Sequence, residues 1–274
     1  MWILYLSITL FAFSSIEVFS KPLMGIIDPF LLTFLRFLIG GSLLISIVVI
    51  RRKRIDPKDI LPLTLIGSLN SVVSMTLLQL SVEYSNASTA ATLVASNPIF
   101  VLLILVLFKT PISKRKILSI FLGFLGIWII SIGKVEGDST LGILLGIGAS
   151  FTFALYTIFL RKYSFKYSPL VSTAYSSFLS SLVYGALLAI FGDIEIPSLS
   201  LVQWIDVIYL GVVVTGIAYL TFFEAIKIVG TLKASMVFFL KPVVATLMAV
   251  LILGENLTWI KVVGTAIVII SLMI

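Results

Sequence analysis

The chain contains no cysteine and no histidine. Without cysteine there is no disulfide and no thiolate metal site. Without histidine, the commonest metal ligand and the commonest general base are both missing. Charge is scarce as well. Of 274 residues, 11% are charged and 60% are hydrophobic, with a mean hydropathy of +1.22. A soluble domain carries about 25% charged residues, so this chain lacks the polar surface to cover a water-facing globule. The net charge of +7 does not point to nucleic acid, because the basic residues sit in short loops between apolar runs, where membrane topology signals belong. Metal and cofactor chemistry are not expected. The anticipated partners are a lipid bilayer and a small-molecule substrate.

What the chain does have is a succession of long apolar runs. A membrane-spanning helix needs about 20 such residues. Ten runs satisfy this: 2–20, 29–50, 60–82, 87–108, 115–133, 140–162, 168–191, 201–223, 232–253 and 257–274. They are continuous rather than alternating, which favours helices over a barrel. The first has no basic segment before it and no small-residue cleavage site after it, so it is expected to be retained. The expected fold is therefore an all-α polytopic membrane protein with no separate soluble domain.

Loop charge sets the expected orientation. After the second, fourth, sixth and eighth runs come Arg51, Arg52, Lys53, Arg54 and Lys58; Lys109, Lys114, Arg115 and Lys116; Arg161, Lys162 and Lys166; Lys227 and Lys233. The opposite loops hold Lys21 and Lys134, with Lys261 just inside a helix start, and are otherwise acidic: Asp28, Glu83, Glu136, Asp138, Asp193, Glu195 and Glu255. By the positive-inside rule the basic loops and both termini lie in the cytoplasm, with the plasma membrane as the expected location.

The halves of the chain correspond. Pro98 matches Pro242, Pro29 matches Pro169, and Ile112-Ser113 matches Leu257-Thr258. The offset drifts only between about 140 and 145 residues. Five spans per half is an odd number, so the repeats, 1–136 and 137–274, must be inverted. Inverted repeats of this kind produce structures that open to one side or the other. Interrupted helices in corresponding places also point to a transporter's substrate site. Here they are Asn97-Pro98 in the fourth run and Lys241-Pro242 in the ninth. A proline inside a helix frees a carbonyl and bends it, making Pro98 and Pro242 the expected flexible points.

Several polar residues stand within these runs. Lys241 lies near the middle of its span, at least about 13 Å from either end. A lysine at that depth is expensive and is expected to face a cavity or another polar group. Glu17 and Arg36 lie in the outer thirds of the first two spans, where neighbours across a short loop can meet as a fixed ion pair, a gate or a proton-coupling site. Thr157 and Ser176 occupy the corresponding places in the second half. Asn70 and Ser74 lie on one face of the third span. Ser88, Thr92 and Ser96 form a stripe on the fourth, with Asn97 beside it. Small polar stripes either line a wet cavity or let helices pack closely. Buried amides such as Asn70, Gln79 and Asn97 need several partners. Among the clustered aromatics, Tyr156 and Tyr219 are nominated for the cavity.

Specific motifs strengthen this reading. The run Phe239-Leu240-Lys241-Pro242-Val243-Val244-Ala245, followed by Leu253-Gly254-Glu255 and Gly264, resembles the C-terminal signature of the EamA branch of the drug/metabolite transporter superfamily. Pro29 with Arg36 resembles its second-span pattern, and Ala90-Ala91 with Asn97-Pro98-Ile99 its fourth. Gly142 through Tyr156 to Arg161-Lys162 resembles the start of its second repeat. The similarity covers essentially the whole chain. One departure is that Lys109-Thr110-Pro111 replaces the acidic residue expected after the fourth span, so Glu255 has no symmetric counterpart. The resemblance implies ten helices, arranged as two inverted five-helix repeats around a central cavity. Spans one, three, four, six, eight and nine would be nearest that cavity. Spans five and ten would be peripheral, where a homodimer would form. It also implies solute transport, commonly export of amino acids or related metabolites.

Three alternatives remain at this stage. A lipid-intermediate flippase or a phosphorylated-metabolite exchanger would use the same fold. A membrane enzyme would need paired carboxylates, a serine–histidine pair or a metal cluster, and Glu17 is the only carboxylate well inside a run. A sensor would be expected to carry an extra domain or a signalling tail. No sequence of the form G-x-x-x-x-G-K-[ST] is present, so ATP is not the expected direct drive.

Overall fold

The computed structural model describes residues 1–132, 137–192, 197–254 and 259–272, all in helices and short connections with no strand among them. Lys134, Glu136, Asp193, Glu195 and Glu255, and the 257–258 pair used in the repeat comparison, lie outside the described residues.

Among the described residues, eight helices are long and apolar enough to cross a membrane: α1 (Trp2–Leu23), α2 (Pro29–Ile50), α3 (Pro57–Tyr84), α4 (Ala87–Leu107), α6 (Thr140–Lys166), α7 (Pro169–Phe191), α8 (Leu201–Val229) and α9 (Thr231–Leu253). Two more, α5 (Lys114–Ile132) and α10 (Trp259–Leu272), pack against each other.

The helix starts follow local chemistry. Asp28 caps α2 by accepting from the backbone N–H groups of Phe30 and Leu31, with Pro29 in the first turn, where no N–H is needed. Ser168 and Pro169 repeat that device at α7. Ser200 and Gln203 close a reciprocal capping box at α8. Some ends differ from the sequence reading. Helix α6 continues to Lys166 and α8 to Val229, so Lys227 and Glu224 lie within α8 rather than in a loop. The loop expected after 223 shrinks to Gly230, whose φ of 83° suits glycine. Their apolar density falls before the helices end, so hydropathy cut these runs short.

Ion pairs and hydrogen bonds show which connections share an end of the bundle. The α2–α3 and α6–α7 connections meet where Lys166 and Tyr167 both bond Asp59, and the Asp56 N–H donates to the Tyr167 hydroxyl at 3.1 Å. A 160 Å³ cavity brings together Thr110, Pro111, Arg161 and Gly230 from the ends of α4, α6 and α8. At the opposite end, Lys21 donates to the carbonyls of Val82 and Ser85, and Asp138 accepts from Asn86 and Thr89. The basic connections therefore gather at one end and the α1–α2, α3–α4 and α5–α6 connections at the other, as the loop charges imply.

Close helix approach depends on glycine at two crossings. A Cβ on Gly67 would fall 2.0 Å from the Ser176 carbonyl oxygen, so α3 and α7 touch backbone to backbone. A Cβ on Gly40 would fall 2.5 Å from the Gly211 carbonyl oxygen. That contact presses α2, and Arg36 one turn away, against α8.

Candidate functional site

The helices are irregular where they meet in the interior. Helix α1 breaks at Ser15, between Trp2–Ser14 and Ile16–Ser20. Helix α4 breaks at Ala95-Ser96, before Asn97-Pro98. Helix α9 passes through a 3₁₀ turn, Met236–Phe239, before Lys241-Pro242 starts its second half. Helices α3 and α8 are each widened into a π-helix, over Leu69–Ser74 and Leu210–Ala218. Proline accounts for the α4 and α9 breaks, since each lies just past the discontinuity, where its missing N–H costs nothing. π-segments are rare and occur frequently at functional sites.

At the α1 and α9 breaks, Lys241 Nζ donates to Glu17 Oε1 at 2.5 Å, with side chains 2% and 0% exposed. The Ser14 hydroxyl reaches the Lys241 carbonyl at 3.5 Å and ties the two breaks together. The second carboxylate oxygen, Glu17 Oε2, has no hydrogen-bond partner among the described residues. A buried charge pair of this kind costs more to desolvate than a solvated one, and removing either member leaves an uncompensated ion. The neighbour-loop pairing of Glu17 with Arg36 expected from sequence gives way to this one. Lys241 reaches Glu17 because both breaks face the same seam, whereas no ion pair within 4 Å joins Glu17 to Arg36.

Lys241 also lines an interior cavity of about 10 Å³ with Phe13, Phe153, Tyr219 and Phe238. That is room for about one water. The central cavity expected from the sequence is thus nearly closed in this structure, because aromatic rings fill it. Phe13 stacks on Phe238 at 5.7 Å, and its edge meets Tyr219 at 5.2 Å. Phe153 stacks on Phe222 at 6.1 Å.

A second polar group lies behind Tyr219. Its hydroxyl donates to Asn70 Oδ1 at 3.4 Å, and its ring is 6.0 Å from that of Tyr156. Arg36 is within electrostatic reach of Tyr219, Glu17 and Lys241. It is fully buried, and none of its Nε, Nη1 or Nη2 atoms has a hydrogen-bond partner among the described residues.

The nominated residues therefore divide. Lys241 and Glu17 form one centre, and Arg36, Asn70, Tyr156 and Tyr219 gather beside it. Ser74 and Asn97 turn elsewhere. Ser74 donates to the Ala149 carbonyl and Asn97 Nδ2 to the Ser150 carbonyl, both on α6. Ser96 donates to the Ser150 hydroxyl and Thr92 to the Ser88 carbonyl, so the α4 stripe serves helix packing. The sequence reading passed over Phe13 and did not nominate Phe153 or Phe238. A signal existed for Phe13, which precedes Glu17 by one helical turn and so shares its face.

The EamA-like transporter family matches the chain twice, over residues 1–132 and 140–274. The chain belongs to that family and is a multi-pass membrane protein. Among curated relatives, an uncharacterized transporter of Clostridium kluyveri is 30% identical over 98% of this chain and 90% of its own length. An uncharacterized transporter of Archaeoglobus fulgidus is 27% identical over 90% and 88%, and the uncharacterized transporter YdfC of Bacillus subtilis 30% over 85% and 77%. A solved crystal structure of a protein 17% identical shares the fold, with a TM-score of 0.75 over 98% of this chain and 93% of that one.

Proposed function

We propose that this chain is a secondary active or facilitative transporter. It moves small organic metabolites, amino acids or related zwitterions and anions, across the plasma membrane by alternating access, in the direction of export. The observation that carries this reading is the buried Glu17–Lys241 pair at facing helix breaks in a membrane-spanning bundle. An intramembrane ion pair is costly and marks a transport pathway by default.

The bundle is read as ten membrane-spanning helices in two inverted repeats, 1–136 and 137–274, with α5 and α10 completing the set. Three features support this. Mid-helix π-segments fall in α3 and α8 (a third, Ala249–Leu253, ends α9), the proline breaks fall in α4 and α9, and α2 packs on α7 as α5 packs on α10. Each pairing joins the same ordinal position in the two halves. Pro98 and Pro242 are the points about which the halves rock, and Glu17 and Arg36 act in gating or coupling. Lys241, Asn70, Tyr156 and Tyr219 border the solute path, with Ser74 and Asn97 at its α6 wall. The termini and basic loops face the cytoplasm, and α5 with α10 offers the dimer face.

A 340 Å³ apolar cleft between α1 and α9, lined by Trp2, Leu6, Leu10, Val237 and Leu240, favours a second reading. It carries Lys233 and reaches Leu240, the residue before Lys241, and would suit a lipid-intermediate flippase. Counterflow in proteoliposomes decides between the two. Water-soluble metabolites exchange across the wild-type protein if it transports solutes, and the exchange is lost in Lys241→Met protein that remains folded. Unchanged kinetics in that variant reject the site.

A further inference from the structure

Three charged side chains are fully buried together in the described interior: Glu17, Lys241 and Arg36. Glu17 and Lys241 cancel. Arg36 is left with a guanidinium that keeps its proton where a lysine would surrender one, and with no acceptor on any of its three nitrogens among the described residues. A buried ion in this position is tolerated only when something neutralises it. Beside it, Asn70 Oδ1 accepts from the Tyr219 hydroxyl, while Asn70 Nδ2 has no partner among the described residues. The nearby carboxylate, Glu17, is committed through Oε1 to Lys241 and forms no ion pair with Arg36 among the described residues, so unused N–H groups around an unpaired cation constitute an anion site whose anion comes from outside.

The charge and the walls narrow its chemistry. One negative charge balances the trio, whereas a phosphate dianion would overshoot. The planar guanidinium matches a carboxylate two bonds at a time. Tyr219 connects this charge to the aromatic cavity, since its ring lines the cavity and its hydroxyl reaches Asn70. Phe13, Phe153 and Phe238 would then meet an apolar body. The cavity is too small to hold any such solute in this closed form, so the solute enters only when the α1, α4 and α9 breaks move.

We infer that Arg36, assisted by Asn70 Nδ2, is the carboxylate anchor of the transported solute, a monocarboxylate with a flat or apolar body. On this assignment Lys241 is neutralised by Glu17 and does not itself hold the anion. The inference rests on the transporter reading above.

The test is thermal shift on the purified full chain, using monocarboxylates from acetate to phenylacetate, each beside its primary amide, and inorganic phosphate. A ligand that prefers the native state raises the melting temperature. At least one acid is expected to stabilise the wild type while its amide and phosphate do not. Arg36→Lys should weaken that acid on the order of tenfold, by losing one of two charge-assisted bonds, and Arg36→Gln should abolish the shift. An amide as effective as its acid, a response to phosphate alone, no response to any acid, or an undiminished response in Arg36→Gln would each overturn the assignment. If Arg36→Gln does not fold, the acid–amide comparison in wild type and Arg36→Lys decides. Counterflow of the stabilising acid in wild-type proteoliposomes separates the two proposals. Binding that needs Arg36 without any exchange would sink transport and leave the anchor standing.

Discussion

Replacing Lys241 and Glu17 singly and together measures what the buried pair does. The ammonium and carboxylate are 2.5 Å apart and at most 2% exposed. Lys241→Met leaves Glu17 as an unpaired buried carboxylate, and Glu17→Leu leaves Lys241 as an unpaired ammonium. Removing one member of a buried pair costs about 3–5 kcal/mol. In a chain of this size that lowers the melting temperature on the order of 10 °C. The double variant places two apolar side chains of similar volume face to face, a change that is often neutral or stabilising by about 1–4 kcal/mol. Unfolding of all four proteins in detergent should therefore give two unstable singles and a double near or above wild type. Counterflow gives the complementary reading, because a pair that serves transport leaves the restored double folded but inactive. Single losses within about 0.5 kcal/mol that simply add would show that the residues do not interact. A double variant with wild-type transport would reduce the pair to a structural tie.

Other outcomes are accessible on this cysteine-free background. Gly67→Ala should destabilise the protein by about 1–3 kcal/mol, because its Cβ would meet the Ser176 carbonyl oxygen; a neutral effect would contradict the α3–α7 contact. A membrane-impermeant thiol reagent applied outside intact cells should modify Ile26→Cys and spare Lys53→Cys, and the reverse pattern would invert the topology. The hydrogen bond from Lys166, with Lys58 nearby, holds the Asp56 carboxyl below the usual carboxylate range. The contact between the α2–α3 connection and α6 is therefore fully present above the pH where a free aspartate protonates, about 3.9, and is lost as pH falls through the lower folded value. An infrared titration against an Asp56→Asn blank should place the midpoint below that of free aspartate; a midpoint at or above it would remove the contact.

Hydropathy, loop charge and proline positions made the helical runs, their alternating ends and the family motifs legible, since each is written in consecutive residues. Lys241, Glu17 and Arg36 stood out for the same reason: charge inside an apolar run is visible without a partner. Their pairing was not visible. Glu17 and Lys241 are 224 residues apart, and the nearer candidate for Glu17, across the first loop, was Arg36. Ser74 and Asn97 looked like cavity residues because a small polar side chain has the same sequence signature whether it meets water or a neighbouring carbonyl. The π-segment in α3 carries no glycine or proline, and that in α8 holds only Gly211 and Gly216, so the packed bundle is what shows the widening.

The sequence by itself determined that this chain lives in lipid, how its runs divide and which charges are buried within them, because bilayer partitioning acts on each segment separately. Only the tertiary structure decided which cation the carboxylate neutralises and which is left bare. That choice depends on how broken helices from distant parts of the chain face one another, and no local pattern encodes it.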